Sequence, residues 1–137
     1  MFVHDRPVRF EDVDAAGIVF FARFFGYCHE AMEALLAAVP GGYAGLVLDR
    51  KLGFPAVHVE ADFSAPLRFG DVARIELTVE RLGKTSCSFR NRFARRADGA
   101  KVASILHVCA VSDLTALRAV PIPDDVRAVL AAHEARA

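Results

Sequence analysis

The chain has few cysteines, no long apolar stretch and no surplus of either charge. Its three cysteines, Cys28, Cys87 and Cys109, are odd in number and contain no close pair, which argues against a disulfide framework and a Cys-x-x-Cys metal site. Each reads as a small buried hydrophobe. The longest apolar run, Gly17 to Ala22, is far short of the ~20 residues that cross a bilayer, so no membrane segment is expected. The amino terminus, Met1-Phe2-Val3-His4-Asp5-Arg6, carries an acid where a signal peptide carries bases and has no apolar core behind it. A cytoplasmic location is therefore expected. Seventeen basic and seventeen acidic residues cancel, which removes any net attraction to nucleic acid or anionic membrane. Gly-x-Gly-x-x-Gly, Gly-x-Ser-x-Gly and metal-ligand spacings are missing too. Neither a nucleotide redox cofactor, a metal nor a serine nucleophile is expected.

What is present fits one domain, residues 1–137, with a single core. Hydrophobic residues make up 54% of it, above the ~45–50% of ordinary soluble domains, and that surplus points to an oligomer. Val3 to Phe10 reads as a strand, followed by the acidic turn Glu11 to Gly17. From about Ala22 to Val39 the pattern is helical, with Phe24, Phe25, Cys28, Met32, Leu35, Leu36 and Val39 on one arc and Arg23, His29, Glu30 and Glu33 opposite. Pro40-Gly41-Gly42 ends it. After a loop through Lys51 to Pro55, period two sets Val57, Val59, Ala61 and Phe63 against His58, Glu60 and Asp62. Ile75, Leu77 and Val79 alternate with Arg74, Glu76, Thr78 and Glu80, and Leu82-Gly83-Lys84 turns the chain. Cys87, Phe89 and Phe93 oppose Ser86, Ser88, Arg90 and Arg92, and Asp98-Gly99 signals a hairpin. Val102 to Ser112 is apolar on both faces, as for a central strand covered on both sides. Pro123, Asp124 and Asp125 open a short closing helix. The order is α+β, an antiparallel sheet packed on one apolar helix.

Asp14 is the first chemical candidate, because a carboxylate near a helix amino terminus can act as base or nucleophile while free N–H groups polarise a carbonyl. Asp12 and Asp14 are equally the residue type that caps or turns the chain before a helix.

The segment Asp12-Val13-Asp14-Ala15-Ala16-Gly17-Ile18-Val19-Phe20-Phe21 resembles the active-site loop of the 4-hydroxybenzoyl-CoA thioesterase family. That family has the hot-dog fold, a five-stranded antiparallel sheet wrapped on one long helix, and its element order matches the one read here. The resemblance implies that Asp14 attacks a thioester carbonyl or activates a water to do so, that Gly17 is among the substrate-binding residues, and that the backbone N–H of Phe21 binds the thioester oxygen. Many members carry histidine at the position of Phe21, and an aromatic residue there is found in relatives acting on aromatic acyl groups. Arg23 stands where asparagine is frequent. Cys28-His29-Glu30-Ala31 and Val57-His58-Val59-Glu60-Ala61-Asp62-Phe63, with Pro66, Gly70 and Asp71, further resemble the 1,4-dihydroxy-2-naphthoyl-CoA thioesterase group.

The same resemblance implies a homodimer or homotetramer in which the strand carrying His58 lines a partner's acyl pocket. It also implies that coenzyme A phosphates are held near Lys84, Thr85 and Arg90, where clustered cations and hydroxyls meet that need. Otherwise His58 belongs to a polar cluster with Glu60 and Asp62, and Lys84 to a solvated hairpin. His29 reads as a helix-edge residue, His107 as a core histidine with a hydrogen-bond partner, Glu30 and Glu33 as solvated, and Arg95 and Arg96 as surface charges. The expected activity is hydrolysis of an acyl-CoA, with an aromatic acyl group favoured. An acyl group carried on acyl carrier protein, or acyl-CoA binding without hydrolysis, are the alternatives.

Overall fold

Side-chain alternation along four long strands builds the sheet. In the computed structural model, which describes residues 1–135, the strands are β1 (Phe2–Pro7), β2 (Leu52–Gly53), β3 (Ala56–Phe63), β4 (Val72–Leu82), β5 (Ser86–Arg95), β6 (Lys101–Ala110), β7 (Ser112–Asp113) and β8 (Arg118–Ala119). Five form an antiparallel sheet in the order β1-β4-β5-β6-β3, and the three two-residue strands make a small ribbon, β2-β7-β8. The long helix α1 (Phe21–Leu36) lies on one face of the larger sheet. Ile75, Leu77, Phe89, Phe93 and Ile105 of the sheet join Phe24, Tyr27, Met32, Leu35 and Leu36 of the helix in one buried cluster. The closing helix, α3 (Asp124–Ala131), adds Val126 and Leu130, and the chain beyond it bonds to both backbone groups of Val79. This is the α+β order read from the residue pattern and the hot-dog arrangement that the resemblance implies.

Several local expectations shift. β1 stops at Pro7 and gives way to a short 3-10 turn at Phe10–Asp12. The presumed loop before β2 contains a helical turn, α2 (Gly42–Ala44), continuing into a π-helical turn over Gly45–Asp49. Phe25, placed on the buried arc by periodicity, is 38% exposed, and Tyr27 and Ala31 are buried instead. Phe25 lies at the same helical angle as Met32 and Leu36 but lines an open cavity beside β3, which leaves it partly exposed. β6 is not covered on both faces: Ala103, Ile105, His107 and Cys109 are buried, while Ser104, Leu106, Val108 and Ala110 stay partly open. Its apolar outer face sits beside β3, an edge strand with nothing beyond it among the described residues. Asn91, between Phe89 and Phe93 on the helix-facing side of β5, is fully buried with no partner for either side-chain polar atom.

Glu30 is not simply solvated. The Arg6 guanidinium of β1 donates from Nε to Glu30 Oε1 at 2.9 Å and from Nη1 to Asp12 Oδ2 at 3.2 Å, and it stacks 4.8 Å from the centre of the Tyr27 ring. Asp12 Oδ2 also accepts the Arg9 N–H at 2.9 Å, and the Tyr27 hydroxyl lies near the same carboxylate outside hydrogen-bond geometry. Burial opposes ionisation of Asp12, but the Arg9 N–H, the adjacent Tyr27 hydroxyl and the Arg6 charge outweigh it and hold the carboxyl below its ordinary value of 3.8. Its ionised form therefore contributes stability that is complete above that value and is lost as pH falls through the lower, folded-state pKa.

Removing the guanidinium leaves the Asp12 charge buried and unpaired. Arg6→Met is expected to cost about 3 kcal/mol in urea denaturation, and adding Asp12→Asn should recover part of that loss. The double variant should also lose less stability than the wild type when the pH is taken below 3.8.

Candidate active site

The loop that leads into α1 is held at both ends by backbone hydrogen bonds. Phe20 N–H donates to Asp12 O at 3.0 Å and Val19 N–H to Leu67 O at 2.8 Å, tying the loop to the 3-10 turn on one side and to the β3–β4 connection on the other. Between these anchors the chain folds back tightly: Asp14 N–H meets Ile18 O at 3.0 Å and Gly17 N–H meets Asp14 O at 2.9 Å. Gly17 closes the turn at φ +78°, in the left-handed region where a side chain is strained. Asp14 Oδ1 accepts the Ala16 N–H at 2.9 Å, which fixes the carboxylate while the residue stays exposed, and Oδ2 makes no hydrogen bond among the described residues.

Seven residues on from Asp14, α1 begins. Its N-cap is Phe20, which supplies no side-chain cap, and no acid lies in its first turn. The N–H groups of Phe21 and Ala22 therefore have no intrahelical acceptor and carry the positive end of the helix dipole. Asp14, Phe20, Phe21, Phe24 and Phe63 share the wall of a cavity of about 490 Å³. Phe20 and Phe21 pack at 5.0 Å between centroids and Phe24 meets Phe63 at 5.1 Å, so the carboxylate and the free N–H groups open onto an aromatic surface.

Of the residues singled out from sequence, one chain brings Asp14, Gly17 and Phe21 together and leaves the others apart. His58 stands exposed on the outer face of β3, 3.0 Å from Glu60 Oε1. Arg90 is on the same outer face of the sheet, bonded to Glu80 and to Ser104 Oγ. Lys84 and Thr85 lie in the β4–β5 turn at the opposite end: Phe93, which packs on Phe24, and Ser86 are seven residues apart on β5. At ~3.3 Å per residue those seven steps span about 23 Å.

A second, larger cavity of about 780 Å³ lies farther along the groove between α1 and β3, with Phe25, His29, Tyr43, Phe54, Val59 and His107 among its lining. Sequence reasoning missed it because the helical turns that supply Tyr43 had been read as loop. His107 is buried as expected, but its contact is with the sulfur of Cys109 at 3.2 Å, and its Nδ1 has no partner. Burial, and secondarily the nearby His29, push its pKa below the ordinary histidine value, so the ring is neutral at pH 7. Burial pushes the thiol of Cys28, in the same wall, up to about 12, which leaves it protonated and unreactive. No helix among the described residues is long and apolar enough to cross a membrane.

A five-stranded antiparallel sheet wrapped on one long helix is the fold of thioesterase-like proteins. The chain belongs to the Thioesterase-like superfamily, whose family model matches residues 8–130. It is 36% identical over 105 residues to a 1,4-dihydroxy-2-naphthoyl-CoA hydrolase of Synechococcus elongatus, covering 76% of this chain and 77% of that protein. With the 1,4-dihydroxy-2-naphthoyl-CoA hydrolase of Nostoc punctiforme it is 40% identical over 82 residues, 60% of this chain and 55% of that one. Among solved structures it resembles a gentisyl-coenzyme A thioesterase with a TM-score of 0.81 at 32% identity, covering 91% of this chain and 98% of that one.

The two glycines of this region make a clean contrast. A Cβ on Gly17 or on the mid-helix Gly26 would meet nothing within 4 Å, so only backbone preference distinguishes them. Gly17→Ala should lower stability by about 1 kcal/mol and Gly26→Ala raise it by about 0.5 kcal/mol, both read by urea denaturation.

Proposed function

We propose that this protein hydrolyses acyl-CoA thioesters with an aromatic acyl group, yielding the free acid and coenzyme A. The observation that carries this reading is the position of Asp14, fixed by its loop at the rim of an aromatic cavity that also holds the free N–H of Phe21. Relatives named for hydrolysis of dihydroxynaphthoyl-CoA support it. The Asp14 carboxylate adds to the thioester carbonyl, or takes a proton from the water that adds. In either case negative charge gathers on the carbonyl oxygen at the helix entrance, where the Phe21 N–H and the helix dipole stabilise it. Collapse of the tetrahedral species breaks the C–S bond and releases the thiolate of coenzyme A. If the carboxylate itself has added, water then cleaves the resulting anhydride and restores Asp14.

A second copy completes this site. The edge strand β3 leaves Val57, Val59 and Phe63 exposed at 61%, 40% and 47%, an apolar unpaired edge that invites pairing. Antiparallel pairing of two β3 edges sets the Phe63 end of one chain beside the Ala56 end of the other. The Asp14 cavity of one subunit then adjoins the larger cavity of its partner. The 5′ end of coenzyme A, with its phosphates, is assigned to Lys84 and Thr85, with Arg90 nearby on the sheet; this also calls on the partner, given the separation within one chain.

Four measurements test the reading. A panel of acyl-CoA thioesters assayed by free-thiol release should favour aromatic over short aliphatic acyl groups. Asp14→Asn should lose at least ~10²-fold in kcat with its melting transition intact, and near wild-type turnover would reject the assignment. Light scattering should give at least twice the 14.9 kDa chain mass. Val59→Lys should yield a monomer of much lower activity, whereas a fully active monomer would exclude the shared site.

A further inference from the structure

The larger cavity is walled mostly by hydrocarbon, and three of the polar side chains in its lining are closed to a ligand. Cys28 and His107 are buried, and the unpartnered Nδ1 of His107 is sealed from the surface. Ser112 Oγ is already committed, donating to Ala110 O at 3.1 Å. His29 and Tyr43 remain open, and their rings meet edge to face with centroids 5.8 Å apart. The His29 side chain is 49% exposed, and its Nε2 lies 3.5 Å from Oε2 of Glu33, one turn on along α1. Tyr43 is part-buried, and its hydroxyl makes no hydrogen bond among the described residues. Burial, then the Glu33 charge, push its pKa up, so it stays a neutral O–H.

Such a pair selects a definable partner. A carboxylate facing Nε2 favours the tautomer with its proton on that nitrogen, which leaves Nδ1 of the neutral ring as an acceptor, while Tyr43 supplies a donor. A hydroxyl on a ligand ring serves both, giving its proton to the imidazole and accepting that of Tyr43. A carboxylate would meet Glu33 and find no cation, because neither lysine nor arginine lines the cavity. An alkyl group would cover both polar groups and leave them unpaired. The walls favour a flat ring, since Phe54 packs 6.1 Å from Tyr43 and Phe25 stands partly exposed across from them.

Position along α1 says which thioester this pair can serve. Eight residues separate Phe21 from His29, about 12 Å at ~1.5 Å per residue, a gap longer than one aromatic ring or two fused ones. An acyl group with its carbonyl at the Phe21 N–H therefore does not reach His29 of the same chain, whereas antiparallel β3 pairing sets this cavity beside the Asp14 cavity of the other subunit. We propose that His29 and Tyr43 of one subunit are specificity-determining residues that read a hydroxyl on the aromatic acyl group whose thioester is cleaved at Asp14 of the other. The proposal rests on the hydrolase reading above and adds to it the substituent recognised and the residues that recognise it.

The test compares kcat/KM for benzoyl- and naphthoyl-CoA with that for their hydroxylated counterparts. The wild type should favour at least one hydroxylated thioester over its unsubstituted parent by about tenfold. His29→Leu should bring that ratio near one by losing the hydroxylated substrate, and Tyr43→Phe, which deletes a single oxygen, should lower it by about threefold or more. His29→Asn, which keeps an acceptor near the place of Nδ1, should retain part of the preference. A heterodimer purified through two different tags, with Asp14→Asn in one chain and His29→Leu in the other, holds one intact shared site and one disabled one, so it should keep the wild-type ratio. A ratio near one in that heterodimer, or an unchanged ratio in folded His29→Leu, would overturn the proposal. If the wild type cleaves aromatic thioesters but ignores the hydroxyl, this inference alone falls. If it cleaves none, the hydrolase reading falls and takes the inference with it.

Discussion

The buried guanidinium of Arg6 is the contact on which the working end of the molecule depends. It joins three pieces of chain that are far apart in sequence: β1, the turn bearing Asp12, and Glu30 on α1. A charge nearly out of water is tolerated only if its hydrogen bonds are met, and here they are met by two carboxylates, the Pro7 carbonyl and the face of Tyr27. The constraint passes directly to the chemistry. Asp12 accepts the Phe20 N–H through its backbone, so locking Asp12 also locks the first residue before α1, and the loop between them has little freedom left.

That rigidity suits the role proposed for Asp14. Asp14 is exposed, yet one oxygen is tied to its own turn, so its carboxylate is held before any ligand arrives. The positive end of the helix needs no preparation either, because no side chain caps it. Preorganised donors and a fixed carboxylate cost little reorganisation as charge develops, which is the economy expected of a site in the Thioesterase-like superfamily.

The open side of the sheet is the second constraint. Three strands, β4, β5 and β6, have a neighbour on each side, while β1 and β3 each have a partner on one side only, and β3 leaves Val57, Val59 and Phe63 exposed. Both cavities line the groove along that edge, one at each end of β3. A lone chain therefore exposes to water the surface on which both cavities open, and the aromatic and aliphatic surplus in the composition finds its place there.

Local pattern was enough to read most of the elements. Period two marked β3, β4 and β5, a continuous apolar run marked β6, the helical arc marked α1, and the acid, the glycine and the aromatic pair before α1 marked the loop of Asp14, because each of these signals lies within a few residues of chain. What failed was long-range or irregular. Phe25 is exposed and Tyr27 buried because Phe25 borders an open cavity while Tyr27 packs under Arg6 of β1, and neither neighbour is contained in the helix. The turns around Tyr43 have no amphipathic period and so passed as loop. Glu30 looked solvated because its partner, Arg6, lies 24 residues away. His107 looked like any core histidine, since the choice between a full partner and a thiol is made by the strand geometry that sets Cys109 beside it. The sequence by itself determined the class of fold and the carboxylate at the helix entrance, both of which arise from short-range periodicity and turn chemistry. Only the tertiary structure decided which strand edge stays open, which charges are paired and which buried nitrogen goes without a bond, because those depend on which distant segments come to lie against one another.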